Sequence, residues 1–203
     1  MKTKLNIELI PGQKIWFTSD LHFGHRNVIK FCHRPFEDIK DMRDKLISNW
    51  NNLVGDNDIV FILGDFCWFD SNTEIKKLLK QFKGQRIYLI PGNHDTEKGF
   101  RELPDNVELL DSIVTLWVTV PGEKTYELVL SHLPLMTWPH REHSNCYQFF
   151  GHIHSGPGVI EGEARMDQDL PLWPGKQYDI GVDNNEYCPV ELHQVLEKLH
   201  LYI

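Results

Sequence analysis

Apolar residues along this chain follow two spacings. DIVFIL (58–63) and RIYLI (86–90) are continuous apolar runs of strand length, which predicts strands buried on both faces. A shorter β-rich run, KIWFTS (14–19), ends at Asp20. In DIKDMRDKLISNWNNLV (38–54) the residues Ile39, Met42, Leu46, Ile47, Trp50, Leu53 and Val54 fall at helical spacing opposite a charged face. In SNTEIKKLLKQFKG (71–84), Ser71 and Glu74 make a capping box, Ile75, Leu78, Leu79 and Phe82 form one stripe, and Gly84 supplies the stop.

After Pro104 the pattern turns to strands. VELLDSIVTLWVTV, a Pro121–Gly122 turn, YELVLSH and YQFFGHIH predict sequential, largely antiparallel or mixed pairing. Residues 159–175 are polar and broken by Pro and Gly, and read as a hairpin or mobile loop. YDIGV predicts a last short strand, and PVELHQVLEKLH a C-terminal helix with Pro189 at or near its first turn. With no linker, repeat or low-complexity stretch, residues 1–203 read as one domain. Its first half is βαβαβ and its second half β-rich, so sheets packed together with helices outside are expected.

Composition narrows the function classes. At 203 residues, with 41% hydrophobic and 25% charged side chains, the chain has the make-up of a globular protein. Its 29 acidic and 21 basic residues leave a net charge of −8, which argues against stable nucleic-acid binding or an anionic membrane surface. A phosphate substrate stays open, because bound cations reverse the local field. No apolar run is long enough to span a membrane, and MKTKLNIELIPGQK lacks a signal-peptide core, so a cytoplasmic protein is expected. Cys32, Cys67, Cys146 and Cys188 are scattered and read as small buried hydrophobes.

The chemistry gathers at the strand ends. Asp20 and His22 follow the first strand, Asp65 the second, and Asn93, His94 and Asp95 the third. His132, then His152 and His154, follow strands of the second half. Each has an ordinary reading: Asp20 as a helix cap, Asp65 as a turn residue, PGN as a type II turn, His132 as a core histidine. In an open α/β sheet, however, carboxyl ends gather at one edge, where ligands bind. Carboxylates, an amide and imidazoles without a nearby thiolate suit Mn²⁺, Fe, Ni²⁺ or Zn²⁺. The ligands outnumber the needs of one ion, so two divalent metal ions are expected, manganese first, with Asp65 the natural bridge.

The ordered series Asp20-x-His22, Gly64-Asp65, Gly92-Asn93-His94-Asp95, His132 and Gly151-His152-x-His154 resembles the five-block signature of calcineurin-like metallophosphoesterases. The tail YDIGVDNNEYCPVELHQV is similar to the closing segment of small bacterial and phage members. The resemblance implies a four-layer α/β/β/α sandwich of two mixed sheets flanked by helices, with a dinuclear centre. It implies one metal on Asp20, His22, Asp65 and His154, and the other on Asp65, Asn93, His132 and His152. His94 would then stand by the leaving group, its ring oriented by Asp95.

Protein phosphatases of that superfamily follow the Gly-Asp block with an Asp-Arg pair, and here the sequence is GDFCWFDSN, without arginine. Candidates for holding phosphate are therefore His25, Arg26, Asn27, Arg34, Trp138, His140 and Arg141. Phe23, Trp68 and Trp138 are available to stack a base or phenyl ring. The expected activity is a phosphodiesterase on a small or nucleotide-like phosphoester, with a phosphomonoesterase as the alternative and a non-catalytic scaffold as a remote one. The reading allows a homo-oligomer.

Overall fold

The computed structural model describes residues 2–69, 71–96, 98–155 and 172–200. Among these, two five-stranded sheets face one another. In the first, β2 (Ile15–Thr18), β3 (Ile59–Leu63), β4 (Arg86–Ile90) and β5 (Val107–Leu109) run parallel, and β10 (Val190–Glu191) joins antiparallel to β2. The second has the order β1 (Lys4–Glu8), β6 (Ile113–Thr119), β7 (Thr125–Ser131), β8 (Cys146–Phe150) and β9 (Gln177–Asp179). Only its β6–β7 hairpin is antiparallel.

Residue type follows from this layering. Along β3, Phe61 and Leu63 enter the core between the sheets, while Val60 and Ile62 enter the core beneath the helices. A strand covered on both faces has no place for a polar side chain. β6 alternates instead, with Val114, Leu116 and Val118 turned into the inter-sheet core.

Helices α1 (Arg26–Phe31), α2 (Ile39–Leu53) and α3 (Asn72–Leu79) cover the outer face of the first sheet through Val28, Met42, Leu46, Trp50, Ile75 and Leu78. Asp38 caps α2, accepting from the Lys40 and Asp41 amides at 2.8 Å, and Ser71 caps α3, accepting from Glu74 N at 3.4 Å. Helix α4 (Leu192–His200) packs Leu192, Val195, Leu196 and Leu199 into the inter-sheet core against β2, β9 and β10. The loop 132–145 lies over the outer face of the second sheet, where Trp138 and Leu135 meet Val129 and Cys146. Two mixed sheets flanked by helices are the α/β sandwich that the strand-end motifs imply.

Several details depart from the sequence reading. β1 was not anticipated: its short Leu5–Ile7 alternation gains meaning only from pairing with β6. Of the two pairings expected for the second half, largely antiparallel or mixed, the mixed one holds, because the long 132–145 connection lets β8 run parallel to β7. Residues after Pro189 first extend as β10, and the helix starts only at Leu192. α3 ends at Leu79, although Phe82 still reaches the same core through a turn. The loop expected at 159–175 lies, over 159–171, outside the described residues. Cys32, Cys67 and Cys146 are buried and Cys188 is half-buried. Among the described residues no helix is long and apolar enough to cross a membrane.

Candidate active site

The carboxyl ends of β2, β3 and β4 meet those of β7 and β8 at one edge of the sandwich. Short contacts lock the edge together. Ser19 Oγ donates to Leu63 O at 2.7 Å, His132 Nδ1 lies 2.8 Å from the same carbonyl, and Gly151 N donates to His132 O at 2.9 Å. The His152 amide donates to both oxygens of Asp20, at 2.9 and 3.1 Å, so Asp20 is not a helix cap.

Backbone geometry aims the side chains inward. Asp20, His22, Asp65, His152 and His154 all have positive φ, between 48° and 73°. Such residues are uncommon outside glycine, and clusters of them mark sites where the fold holds strain. The turns need close backbone approach as well. A Cβ on Gly151 would strike Ser19 Oγ and Asp20 Oδ2, and one on Gly92 would strike Asp65.

Two groups of donors result. Asp20, His22 and His154 offer one ligand atom each within 4.8 Å of one another, and so do Asp65, His132 and His152. Asp65 reaches into both groups: its Oδ2 is 3.5 Å from His22 Nε2 and 3.4 Å from His132 Nε2. Asn93 Oδ1 is 2.9 Å from His132 Nε2.

The donor set fits divalent cations. Both ring nitrogens of His22 are buried with no hydrogen-bond partner, a costly state for a polar atom unless something else occupies it. Burial, with Arg34 and His154 adding to it, holds the His22 ring well below its ordinary pKa, hence neutral as a ligand must be. Burial also acts on His132 in the lowering direction, but the Asp65 bond and the Asp20 charge push it up to about 9. Against its own burial, Asp65 is held well below the usual carboxylate range by His132 and His22.

A second layer fixes the rings. His154 Nδ1 is 2.7 Å from Asp183 Oδ2, which turns Nε2 toward Asp20 at 3.8 Å. Asp183 in turn receives Arg34 through Nε and Nη2, both at 2.8 Å. Asp179 is buried beside them, accepting from Ser155 N at 3.0 Å and from Gly181 N at 2.8 Å. Asp179 and Asp183 were missed as site residues. Their only signal was the YDIGVD stretch in the tail.

The structure divides the other expected residues. His94 is exposed at the site, with its amide on Asp65 Oδ1 at 2.9 Å and its ring 4.8 Å from Trp68. Asp95 does not orient that ring. Its two oxygens accept from Phe66 N and Gly92 N, at 3.0 and 2.9 Å, tying the GNHD loop to the GDF loop. Burial, then the Asp65 charge, pushes Asp95 up to about 6. His25 stands beside His22, stacked on half-exposed Trp68 at 4.1 Å. Arg26 and Asn27 are exposed at the start of α1.

Five residues expected to contact phosphate or substrate are placed elsewhere. Arg34 is buried, and its guanidinium is spent on Asp183 and on the Asp20 and Leu21 carbonyls. Trp138 is buried under the loop on the outer face of the second sheet, and Phe23 is wholly buried beneath the helices. His140 and Arg141 belong to that outer face too, where His140 meets Glu127 and Arg141 covers the Trp173 ring.

Comparison with known proteins agrees with this geometry. An uncharacterized protein of Methanocaldococcus jannaschii is 43% identical over 83 residues, 41% of this chain and 47% of its own length. The gene 66 protein of Mycobacterium phage D29 is 30% identical over 132 residues, 59% of this chain and 63% of its own. The chain thus spans less than two thirds of these curated relatives. A solved structure of a protein of unknown function from Aquifex aeolicus superposes with a TM-score of 0.65 at 23% identity, covering 92% of this chain and 99% of that one. The Calcineurin-like phosphoesterase family profile matches residues 13–156, and the chain belongs to that family.

Proposed function

We propose that this protein is a dinuclear-metal-dependent phosphodiesterase acting on a small or nucleotide-like phosphoester. The observation that carries the reading is the buried His22 ring, whose nitrogens have no hydrogen-bond partner, beside Asp65, whose carboxylate lies between two groups of nitrogen and oxygen donors. Asp20, His22, Asp65 and His154 would hold one cation, and Asp65, Asn93, His132 and His152 the other. When bound, two such cations polarise a phosphate and acidify a water. We read residues 1–203 as one domain, since the inter-sheet core draws side chains from β1 through to α4.

The chain's own residues supply the rest. Leu63 O on His132 Nδ1 and Asp183 on His154 Nδ1 turn each Nε2 toward the donor groups, where a bound cation would take the place of its proton. His94, on a loop fixed by Asp65 and Asp95, is the proton donor to the departing oxygen. Trp68, flanked by His25 and His94, offers an aromatic face to a base or phenyl group. Arg34 is locked in the core, and no arginine follows the Gly64-Asp65 block (GDFCWFDSN) to grip a monoester dianion, which favours a diester.

The test compares bis-p-nitrophenyl phosphate with p-nitrophenyl phosphate in Mn²⁺, Fe²⁺, Ni²⁺ and Zn²⁺, followed by cyclic and linear dinucleotides. The diester is expected to be cut with the higher kcat/KM, and chelation to abolish turnover. Asp65→Asn is expected to lose metal and activity together. His94→Ala keeps its metal and loses about 10²–10⁴ in kcat. Faster monoester cleavage would make the protein a phosphatase, and no cleavage with any metal would make it a scaffold.

A further inference from the structure

A second group of metal-capable side chains lies on the outer face of the second sheet. Tyr126, Leu128 and Leu130 of β7 enter the inter-sheet core, so Glu127 faces outward. It stands five positions before His132 along the strand, roughly 16 Å away at the rise of an extended chain. Its side chain is only 9% exposed, and the loop 132–145 crosses over to meet it. His140 Nδ1 lies 2.9 and 3.0 Å from the two Glu127 oxygens. His143 N donates to His140 O at 2.8 Å, and that turn lays the two rings parallel, 5.0 Å apart with 3° between planes. One donor atom from each of the three residues falls within 4.8 Å of the others.

We propose that Glu127, His140 and His143 form a separate binding site for a zinc-class divalent ion. Two imidazoles and a carboxylate suit Zn²⁺ or its borderline neighbours and leave a coordination position open. A Glu127–His140 ion pair by itself accounts for only two of the three residues, and gives no role to the His143 ring held against its neighbour. His140 has φ of 59°, the same left-handed conformation as five of the residues at the strand-end cluster. Nearby cations are already engaged, Arg141 with Glu142 and the Trp173 ring, and Lys176 with the His143 and Cys146 carbonyls.

The ion would brace the loop that begins at His132, pinning its far end to the start of β7. It would thus stabilise the fold in proportion to the free metal. None of this depends on the phosphodiesterase reading.

Equilibrium dialysis against Zn²⁺, with thermal unfolding in parallel, tests the site on wild type, His143→Ala, Asp65→Asn and the double variant. His143 is exposed, so its replacement leaves the fold intact. Wild type is expected to hold one more equivalent of zinc than His143→Ala, and Asp65→Asn one more than the double variant. Zinc should also raise the unfolding temperature of Asp65→Asn but not of the double variant. Equal zinc content with and without His143, in either background, would overturn the site. Should Asp65→Asn fail to fold, the wild-type comparison still decides.

Discussion

His154 Nδ1 lies 2.7 Å from Asp183 Oδ2, on the same carboxylate that takes the Arg34 guanidinium at 2.8 Å. A chain of charge therefore runs from the core to the candidate metal edge. Burial alone would raise the Asp183 pKa, but Arg34 and His154 hold it well below the usual carboxylate range. Arg34 thus bears on the site through Asp183.

Asp183→Asn should weaken this support while keeping the shape. Loss of an outer partner of a ligating histidine typically costs about 10–100-fold in metal affinity. Titration with Mn²⁺ should show one weakened ion in the variant. Unchanged affinity for both ions would remove His154 from the ligand set.

Arg34→Met should act on stability. Removing one partner of a buried, bidentate ion pair leaves Asp183 uncompensated, at a cost of about 3–5 kcal/mol. Urea unfolding should show the loss. Wild-type stability, with weaker substrate binding, would mean that Arg34 reaches solvent and grips phosphate after all.

Gly151→Ala tests the close approach of the two sheets' edges. The added methyl would meet Ser19 Oγ and Asp20 Oδ2, so the β8 turn must move away from β2. Overpacking of this kind costs about 1–3 kcal/mol. The melting temperature should fall, and metal uptake with it because His152 and His154 ride on that turn. An unaltered metal content would show that the turn can shift without carrying the two histidines out of place.

Asp179 predicts a pH dependence in the metal-free protein. Burial, and then the Asp20 charge, pushes its carboxyl up to about 6, against the Ser155 and Gly181 hydrogen bonds that lower it. A carboxyl raised in the folded state favours folding fully below its unfolded pKa of about 4. That contribution fades as pH rises through about 6. In chelator, Asp179→Asn should therefore gain on wild type between those two pH values, read as a converging or crossing pair of urea midpoints. Parallel curves would show that Asp179 stays ionised throughout.

Much of this was legible in the residues themselves. β3 and β4 could be read because a strand covered on both faces leaves an unbroken apolar run, and α2 because its stripe repeats at the helical period. The metal-capable residues stood out because a parallel strand must end in a turn, and the same residue types recurred at five such ends. Other parts carried no local signal. β1 is too short to declare itself, and β10 depends on a neighbour, β2, that precedes it by well over a hundred residues.

Spacing and residue type along the chain therefore determined most of the sandwich's strands, its main helices and the cluster at their ends. Tertiary structure alone decided what each charge is used for. Arg34 and Arg141 look alike as letters, yet one is buried on Asp183 and the other lies over Trp173. Histidines 132 and 140 sit eight residues apart, yet one joins Asp65 and the other Glu127. The reason is physical. Hydrophobic period is a property of a segment, whereas the partner of a charge is whatever the folded chain brings within a few ångströms of it.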